Sequence, residues 1–408
     1  MPIALKYLLL TLCLTLLQAC GNKGVDLSEK IVTVEGQAII KNGAKLLARK
    51  MAIRDAIRQS SLQNSGQIKS RTLVKSQSIA LDAFTLKTTA QINNTEIIDE
   101  WVTDNIFHVR AIVRLSDANM CTPMFRKRII ATAFPMVHPS QSSMAESNDL
   151  SSGIPREINN ILAETGAYIG KNLTQTVIFN EANLAPEVLG AHPYQISTEM
   201  KLAQKHRGQF ILSGVIRDLE ISPAHYNRGS GIESLLNSYT SYLSSTRAIT
   251  VDIYLHDGYT GALLFQHRYR RTAKGKVIIP HNVVVGSDEF KETDTGNKIT
   301  SIINQAVQDI QQSLNCYPLY TRILKIDENK VFIDAGAQEQ VNIGDQLVVY
   351  SSLGTINAAG SGQEIIGHHK KPAGILTITE VTPLFSVGEL ESPPHILGVK
   401  EGDWVKSW

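Results

Sequence analysis

The sequence predicts an α+β protein of several domains: a small α/β layer, a mixed sheet packed with helices, and a small all-β barrel-like domain at the carboxyl end. Three observations carry this. Apolar residues switch repeatedly between the helical and the strand period along most of the chain. An Asp-Gly pair stands between two alternating stretches at Asp257-Gly258, which marks a hairpin. From Tyr317 onward the helical period disappears, leaving short strand-like runs bounded by glycines. At 408 residues the chain has room for roughly two to four domains.

Residues 1–20 are expected to be a signal peptide with a lipobox-like end. Lys6 is the only charge before the apolar run Tyr7 to Leu17, and Gln18-Ala19-Cys20 follows. A basic start, a short hydrophobic stretch and a small residue at the cut form a secretory signal; a membrane-spanning helix needs about 20 apolar residues. A buried amino-terminal helix is the competing reading, and the abrupt stop at Gly21-Asn22-Lys23-Gly24 argues against it. Leu17-Gln18-Ala19-Cys20 resembles a lipobox, whose cysteine is acylated and becomes the first mature residue. Ordinary cleavage after Ala19 is the alternative. Gly21, where an aspartate would signal retention, resembles lipoproteins sorted to the outer membrane. Several acyl chains on Cys20 would anchor the protein where one alone binds marginally.

The remaining cysteines follow from this compartment. Cys13 leaves with the signal, so Cys121 and Cys316 remain as a pair in an oxidising environment. A disulfide is the expectation and two free buried thiols the alternative. Their separation is too long for a metal site. A bridge closing so long a loop contributes up to about 5 kcal/mol in the chain-entropy model. With 40 basic and 38 acidic residues mixed along the chain, neither nucleic acid nor a polyanionic surface is implied as a partner. The basic cluster Arg268 to Lys276 reads as one solvated strand face.

The first domain is expected at 28–118. Ile31 to Ala38 alternates as a half-buried strand. Ala44, Ala48, Ala52 and Ala56 then recur at four-residue spacing, a row of small side chains on one helix face that allows close approach to a sheet. Leu47, Met51 and Ile57 widen this stripe, while Lys45, Arg49, Arg54 and Arg58 face water. After Asn64-Ser65-Gly66, strands are expected at Phe84 to Ala90, Glu96 to Val102 and Phe107 to Leu115. The last sets Phe107, Val109, Ala111, Val113 and Leu115 on one face.

The middle domain is expected at 121–316. It opens with a strand, Arg128 to Phe134, and a polar loop through Ser152. Pro155, well placed in a first turn, starts a helix from Glu157 to Thr174 with Ile158, Ile161, Leu162, Ala167 and Ile169 in its stripe. A helix from Glu199 to His206 leads into a strand, Gln209 to Ile216. After a polar excursion from Arg228 to Ser245 comes the hairpin, with arms Ala248 to His256 and Ala262 to Arg270. A helix from Lys298 to Leu314 closes the domain, burying Ile299, Ile302, Ile303, Ala306, Val307 and Ile310. In the last domain, expected at 317–408, one pattern occurs twice: Val341-Asn342-Ile343-Gly344-Asp345-Gln346-Leu347 and Val399-Lys400-Glu401-Gly402-Asp403-Trp404-Val405. Each reads as an apolar anchor, a Gly-Asp turn and entry into a strand.

No stretch makes a convincing active site, and no enzyme, cofactor or metal is expected. Gly166 to Asn172 superficially resembles a phosphate loop but lacks its spacing, its terminal Ser or Thr and a preceding strand. There is no G-x-S-x-G elbow, and Gly229-Ser230-Gly231 lies in a polar loop. Turn chemistry accounts for Asp257 beside His256. His368-His369-Lys370-Lys371 reads as a solvated loop with at most weak metal affinity, and Asp327-Glu328-Asn329 lacks the rest of a calcium loop. Trp404 and Trp408 either anchor a partner or fill the core of a small barrel.

Taken together, the chain resembles the flagellar assembly protein T family. Val34-Glu35-Gly36-Gln37-Ala38, Ala48-Arg49 and Ala52-Ile53-Arg54-Asp55-Ala56 resemble that family's opening strand and helix. The middle segment, ending in the hairpin around Asp257-Gly258-Tyr259-Thr260-Gly261, is similar in order to its central domain, which is related in fold to the amino-terminal domain of TolB. The Gly-Asp turns match its small β domain. The resemblance implies a structural role in the H-ring around the basal body of polar flagella. It implies a ring homo-oligomer in the periplasm, contacts with LP-ring and T-ring proteins that hold the stator, and association with the outer membrane. Cys20 departs from the family's usual cleavable signal and adds a lipid anchor. The rival reading is a monomeric outer-membrane lipoprotein that binds envelope partners and has no place in the flagellum.

Overall fold

The computed structural model describes residues 30–64, 91–116, 124–142, 144–186, 197–222, 245–315, 317–357 and 365–407. The chain divides into two compact units: Met1–Ile39, Ala48–Gln77 and Phe84–Met120 form one, and Ile40–Leu47, Ser78–Ala83 and Cys121–Trp408 the other.

In the first unit a strand β1 (Lys30–Ile39), a helix α1 (Lys45–Asn64) and strands β2 (Gln91–Thr103) and β3 (Ile106–Ser116) form an antiparallel sheet of order β1-β3-β2 with α1 on one face. Ala44 is buried, but it stands before the helix begins and outside this unit; Ala48, Ala52 and Ala56 are buried as the spacing predicts. Opposite them lie Val34, Phe107, Val109, Ala111 and Val113, all buried. The approach is so close that a Cβ on Gly36 would sit 2.0 Å from the Ala52 carbonyl oxygen and 2.3 Å from the Ala56 nitrogen. Lys45 and Arg58 are exposed as expected, but Arg49 and Arg54 are half-buried; Arg49 is drawn down onto Glu100 of β2 at 2.6 Å. Asp104 and Asn105 join β2 to β3 with φ of 51° and 64°, the left-handed pair that a type I′ hairpin turn requires. The strand expected at Phe84 to Ala90 lies outside the described residues.

In the second unit β4 (Lys127–Thr132), helix α2 (Met144–Glu164), β5 (Tyr168–Leu173), helix α3 (Thr198–His206), β6 (Phe210–Asp218), β7 (Ile221–Ser222), β8 (Thr246–Asp257), β9 (Leu263–Lys274) and helix α4 (Asp294–Leu314) follow in order. Their strands make a mixed sheet, β5-β4-β6-β8-β7, with β9 along the other side of β8. Strand β4 runs parallel to β5 and β6, and β8 antiparallel to β6 and β9. The expected apolar stripe of α4 is buried throughout and packs with Ile154, Ile158 and Leu162 of α2 against Ile129, Phe210, Leu212, Val251 and Ile253. On the other face Ile130, Ile211, Val215 and Tyr254 meet Phe179 and Ala203. The central strands are thus covered on both faces, which is why β4 and β6 read as apolar runs without alternation. Each such side chain contributes about 1.5–3 kcal/mol by leaving water.

The helix expected from Glu157 to Thr174 is displaced. It begins at Met144, inside the stretch read as a loop, and ends at Glu164. Gly166, at φ 77°, turns the chain out of it, and Ala167 and Ile169 fall outside the helix. Pro155 sits in its interior rather than its first turn. A proline there leaves the carbonyl four residues back without its amide, and that carbonyl, of Ser151, accepts the Phe134 N–H at 2.9 Å instead. Residues 168–173 form β5 because Lys127–Thr132 offers a parallel partner in register.

The carboxyl-terminal strands β10 (Tyr320–Asp327), β11 (Lys330–Ile333), β12 (Gln346–Asn357), β13 (Ile365–Val381), β14 (Ser386–Leu390) and β15 (Trp404–Lys406) close into a barrel of order β10-β11-β14-β13-β12-β15. The repeated sequence pattern is a repeated structure. Gly344 and Gly402 have φ of 90° and 83°. Asp345 Oδ2 accepts the Asn342 N–H and Asp403 Oδ2 the Lys400 N–H, each at 2.8 Å. The two turns lead into β12 and β15, which are neighbours. His368 to Lys371, expected in a loop, lie within β13, paired across to β12. Among the described residues no helix is long and apolar enough to cross a membrane.

Candidate functional site

Cys20, Cys121 and Cys316 lie outside the described residues, as do Trp408, Gly229-Ser230-Gly231 and most of the polar excursion from Arg228 to Ser245. The phosphate-loop-like stretch resolves into a turn at Gly166 and the strand β5. His368 and His369 are consecutive in a strand, so their side chains leave opposite faces and do not share an ion. Among the described residues no group of metal-ligating side chains assembles.

His256 and Asp257 end the arm β8. Asp257 Oδ1 accepts the N–H groups of Tyr259 and Thr260 at 2.8 and 3.0 Å, which is the turn chemistry expected of it. His256 is 3% exposed, with Ser213 Oγ 3.4 Å from its Nδ1 and its ring tilted against Phe179. Burial pushes its pKa down, and the buried carboxylate of Glu199 offsets part of that shift. Serine, histidine and glutamate stand close together here, but all three are buried, so the group is part of the core and offers no approach to a substrate.

A polar constellation lies where the mixed sheet meets the barrel. Arg128 enters it from β4, Arg207 from the end of α3 and Tyr259 from the hairpin turn; Tyr320, Asp334 and Glu339 face them from the barrel. Arg128 donates to Glu339 Oε1 through Nε at 2.6 Å and contacts Asp334 at 3.3 Å. Arg207 reaches Asp334 as well and donates to the Leu384 carbonyl at 2.8 Å. Arg207 is held at φ 59°, the left-handed end of α3 that aims it at the barrel. Glu339 is 1% exposed, and its second oxygen accepts the Gly336 N–H at 2.7 Å. The Gln209 amide donates to the Pro318 carbonyl and the Tyr259 hydroxyl to the Tyr320 carbonyl, at 2.8 and 2.9 Å.

Beside these polar contacts, Tyr259 meets Trp404 edge-on at 4.6 Å between ring centres. The Trp404 ring also carries Arg322 at 4.3 Å and Lys370 at 3.5 Å from its centre, within the range of cation–π attraction. Burial pushes the Tyr259 hydroxyl up to about 12, so it stays a donor at any physiological pH. The junction is therefore a mechanical joint made of paired charges and rings. Of these residues the sequence marks Trp404 for its bulk, and names Tyr259 only as part of the hairpin turn and Arg128 and Gln209 only as strand starts. The Arg128–Glu339 pair spans 211 residues, and no local pattern points to it.

A second buried charge holds the sheet's outer face. Asp252 is buried, yet it accepts hydrogen bonds from Arg217 and Arg268 at 2.7 and 2.6 Å. Burial alone raises its pKa, but these two bonds hold it below the usual carboxylate value. Arg217 also donates to the carbonyls of Ala182, Asn183 and Ala185, tying that loop to the strands.

Comparison with known proteins agrees with the resemblance in the sequence. The family model described as flagellar assembly protein T, N-terminal domain, matches residues 30–117, and the one described as flagellar assembly protein T, middle domain, matches residues 119–284. No curated protein matches the chain. Among solved structures, the hypothetical protein CT253 from Chlamydia trachomatis is similar at 15% identity and a TM-score of 0.30, over 47% of this chain and 98% of that one. A PelC dodecamer from Paraburkholderia phytofirmans is similar at 11% identity and 0.24, over 48% and 94%. Lipoprotein GNA1162 from Neisseria meningitidis is similar at 13% and 0.25, over 45% and 99%. Likeness this low says nothing about function. The two family models between them cover most of the chain, in the order and at the positions of the first sheet and the middle sheet, and the protein belongs to the flagellar assembly protein T family.

Proposed function

We propose that the protein is a structural component of the H-ring of the flagellar basal body, where it supports the outer ring and the attachment of T-ring proteins and stator. The observation that carries this is the match of two successive family domains across residues 30–284. A ring subunit works through repeated surface contacts and a stiff body, and the paired charges at Arg128, Glu339 and Asp334 are suited to such a body. We place the mature chain in the periplasm against the outer membrane, acylated at Cys20, with Cys121 and Cys316 joined. Residues 121–316 and 317–408 would fold as separate domains at the two sides of that bridge.

Electron cryomicroscopy of basal bodies from cells with and without this protein tests the role. Loss of an outer ring in the deletion, with the rod and filament intact, is the expected result. An unchanged basal body with a leaky envelope would overturn it in favour of an envelope-binding lipoprotein.

A further inference from the structure

We propose that the free edge of β9 is a docking strand for an acidic, extended segment of a partner protein, which adds to the mixed sheet beside it. Strand β9 has 12 residues, Leu263–Lys274, and among the described residues it pairs with β8 alone. Its pairing runs without interruption from Phe265 to Lys274, and the one irregularity lies at the turn end, by His256. Edge strands are a liability that proteins usually blunt by shortening, bulging or proline. This one is 12 residues long, has no proline, and is irregular only at its turn end, so charge is the one device along the rest of it.

What β9 does carry is charge of one sign. Arg268, Arg270 and Lys274 share a face, being separated by even numbers of residues in a strand. Arg268 is committed to Asp252. Arg270 and Lys274 are exposed, and neither has a carboxylate partner among the described residues. Beneath them on β8 stand Thr250, Ala248 and Thr246, opposite Arg270, Thr272 and Lys274; all are uncharged and small. Like charges facing each other across two strands destabilise the pairing, so this row disfavours β9 of one copy joining β9 of another. It selects instead an extended strand with acidic residues four positions apart on one face, about 13–14 Å, which is the separation of Arg270 and Lys274. That regular spacing is what favours a protein strand over a lipid surface.

The strand is also held ready. On its other face the Tyr269 hydroxyl donates to Asp309 at 2.7 Å, Arg271 donates to Gln305, and Ala273 is fully buried. Anchored to α4 in this way, β9 offers its edge without rearrangement, and main-chain hydrogen bonds supply affinity while the side chains select the partner. The inference goes beyond the ring reading and does not depend on it.

The test is a titration of the mature protein with a short synthetic peptide alternating glutamate with valine and threonine, followed by fluorescence anisotropy. The peptide is expected to bind, and R270E/K274E is expected to weaken it at least about tenfold, as loss of paired charge does. Both residues are exposed, so the variant should unfold at the parent's temperature. N-methylating alternate amides of the peptide should abolish binding while leaving both the peptide's charge and the protein untouched. Binding that survives N-methylation would overturn the proposal, as would no binding at all. So would a charge-sensitive preference for phosphatidylglycerol vesicles over the peptide, or a change in self-association of R270E/K274E on sedimentation. A deletion that leaves the basal body unchanged would strike only the ring reading.

Discussion

Replacing Arg128 by methionine keeps most of its volume and removes its charge, and the structure says which partner suffers. Asp334 keeps Arg207. Glu339 keeps the Gly336 N–H and is left as a carboxylate at 1% exposure with no hydrogen-bonded cation, Arg207 acting on it only through space. The two side chains are 15% and 2% exposed, so solvent screening does little to soften the loss. Breaking a buried pair on one side costs about 3–5 kcal/mol, while replacing both partners by apolar groups is often close to neutral. R128M is therefore expected to destabilise the second unit by about 3 kcal/mol, and R128M/E339L to recover most of that. With a slope of about 3 kcal/mol/M in urea, the single variant's midpoint should fall by about 1 M. Equilibrium urea unfolding followed by tryptophan fluorescence in a W101F/W408F background reads this, since the remaining ring, Trp404, lies at the same joint. A loss below about 0.5 kcal/mol, the scale of a surface pair, would refute the reasoning. So would a double variant no better than the single one.

The remaining predictions concern other parts of the chain. Gly36→Ala should destabilise the first unit by about 1–3 kcal/mol or more through overpacking against α1, visible as an earlier thermal transition; an unchanged transition would contradict the close approach of β1 and α1. His256 is held neutral by burial, with a folded pKa below 6.5. Its contribution is therefore fully present above about pH 6.5 and declines as pH falls toward the folded value, because the unfolded chain binds the proton first. Unfolding free energies between pH 7.5 and 5 should show this slope in the parent and a shallower one in H256Q, with the buried Glu199 carboxylate moderating both. Non-reducing peptide mapping of periplasmic protein should join the peptides of Cys121 and Cys316, and intact mass should show acyl chains on Cys20. Free thiols at both positions, or a mature chain beginning without lipid, would remove those assignments.

Local rules were enough for much of this molecule. The alanine row of α1, the stripe of α4, the Asp-Gly hairpin and the twin Gly-Asp turns are all legible in the chain, because each is decided by residues within one or two turns of one another. The same holds for Trp404, whose bulk near the carboxyl end marks it as an anchor or a barrel-core residue. Other features were decided only by tertiary structure. Residues 168–173 became a strand because β4 lay alongside to pair with them, and α2 extends through Pro155 because Phe134, far back in the chain, satisfies the carbonyl that proline leaves open. Arg128 meets Glu339 across 211 residues, and Arg268 is taken by the buried Asp252 while Arg270, two residues on, meets no carboxylate among the described residues. For these pairings the energy comes from a partner that periodicity cannot reveal: a hydrogen bond or a charge supplied by a distant segment once the sheet has formed.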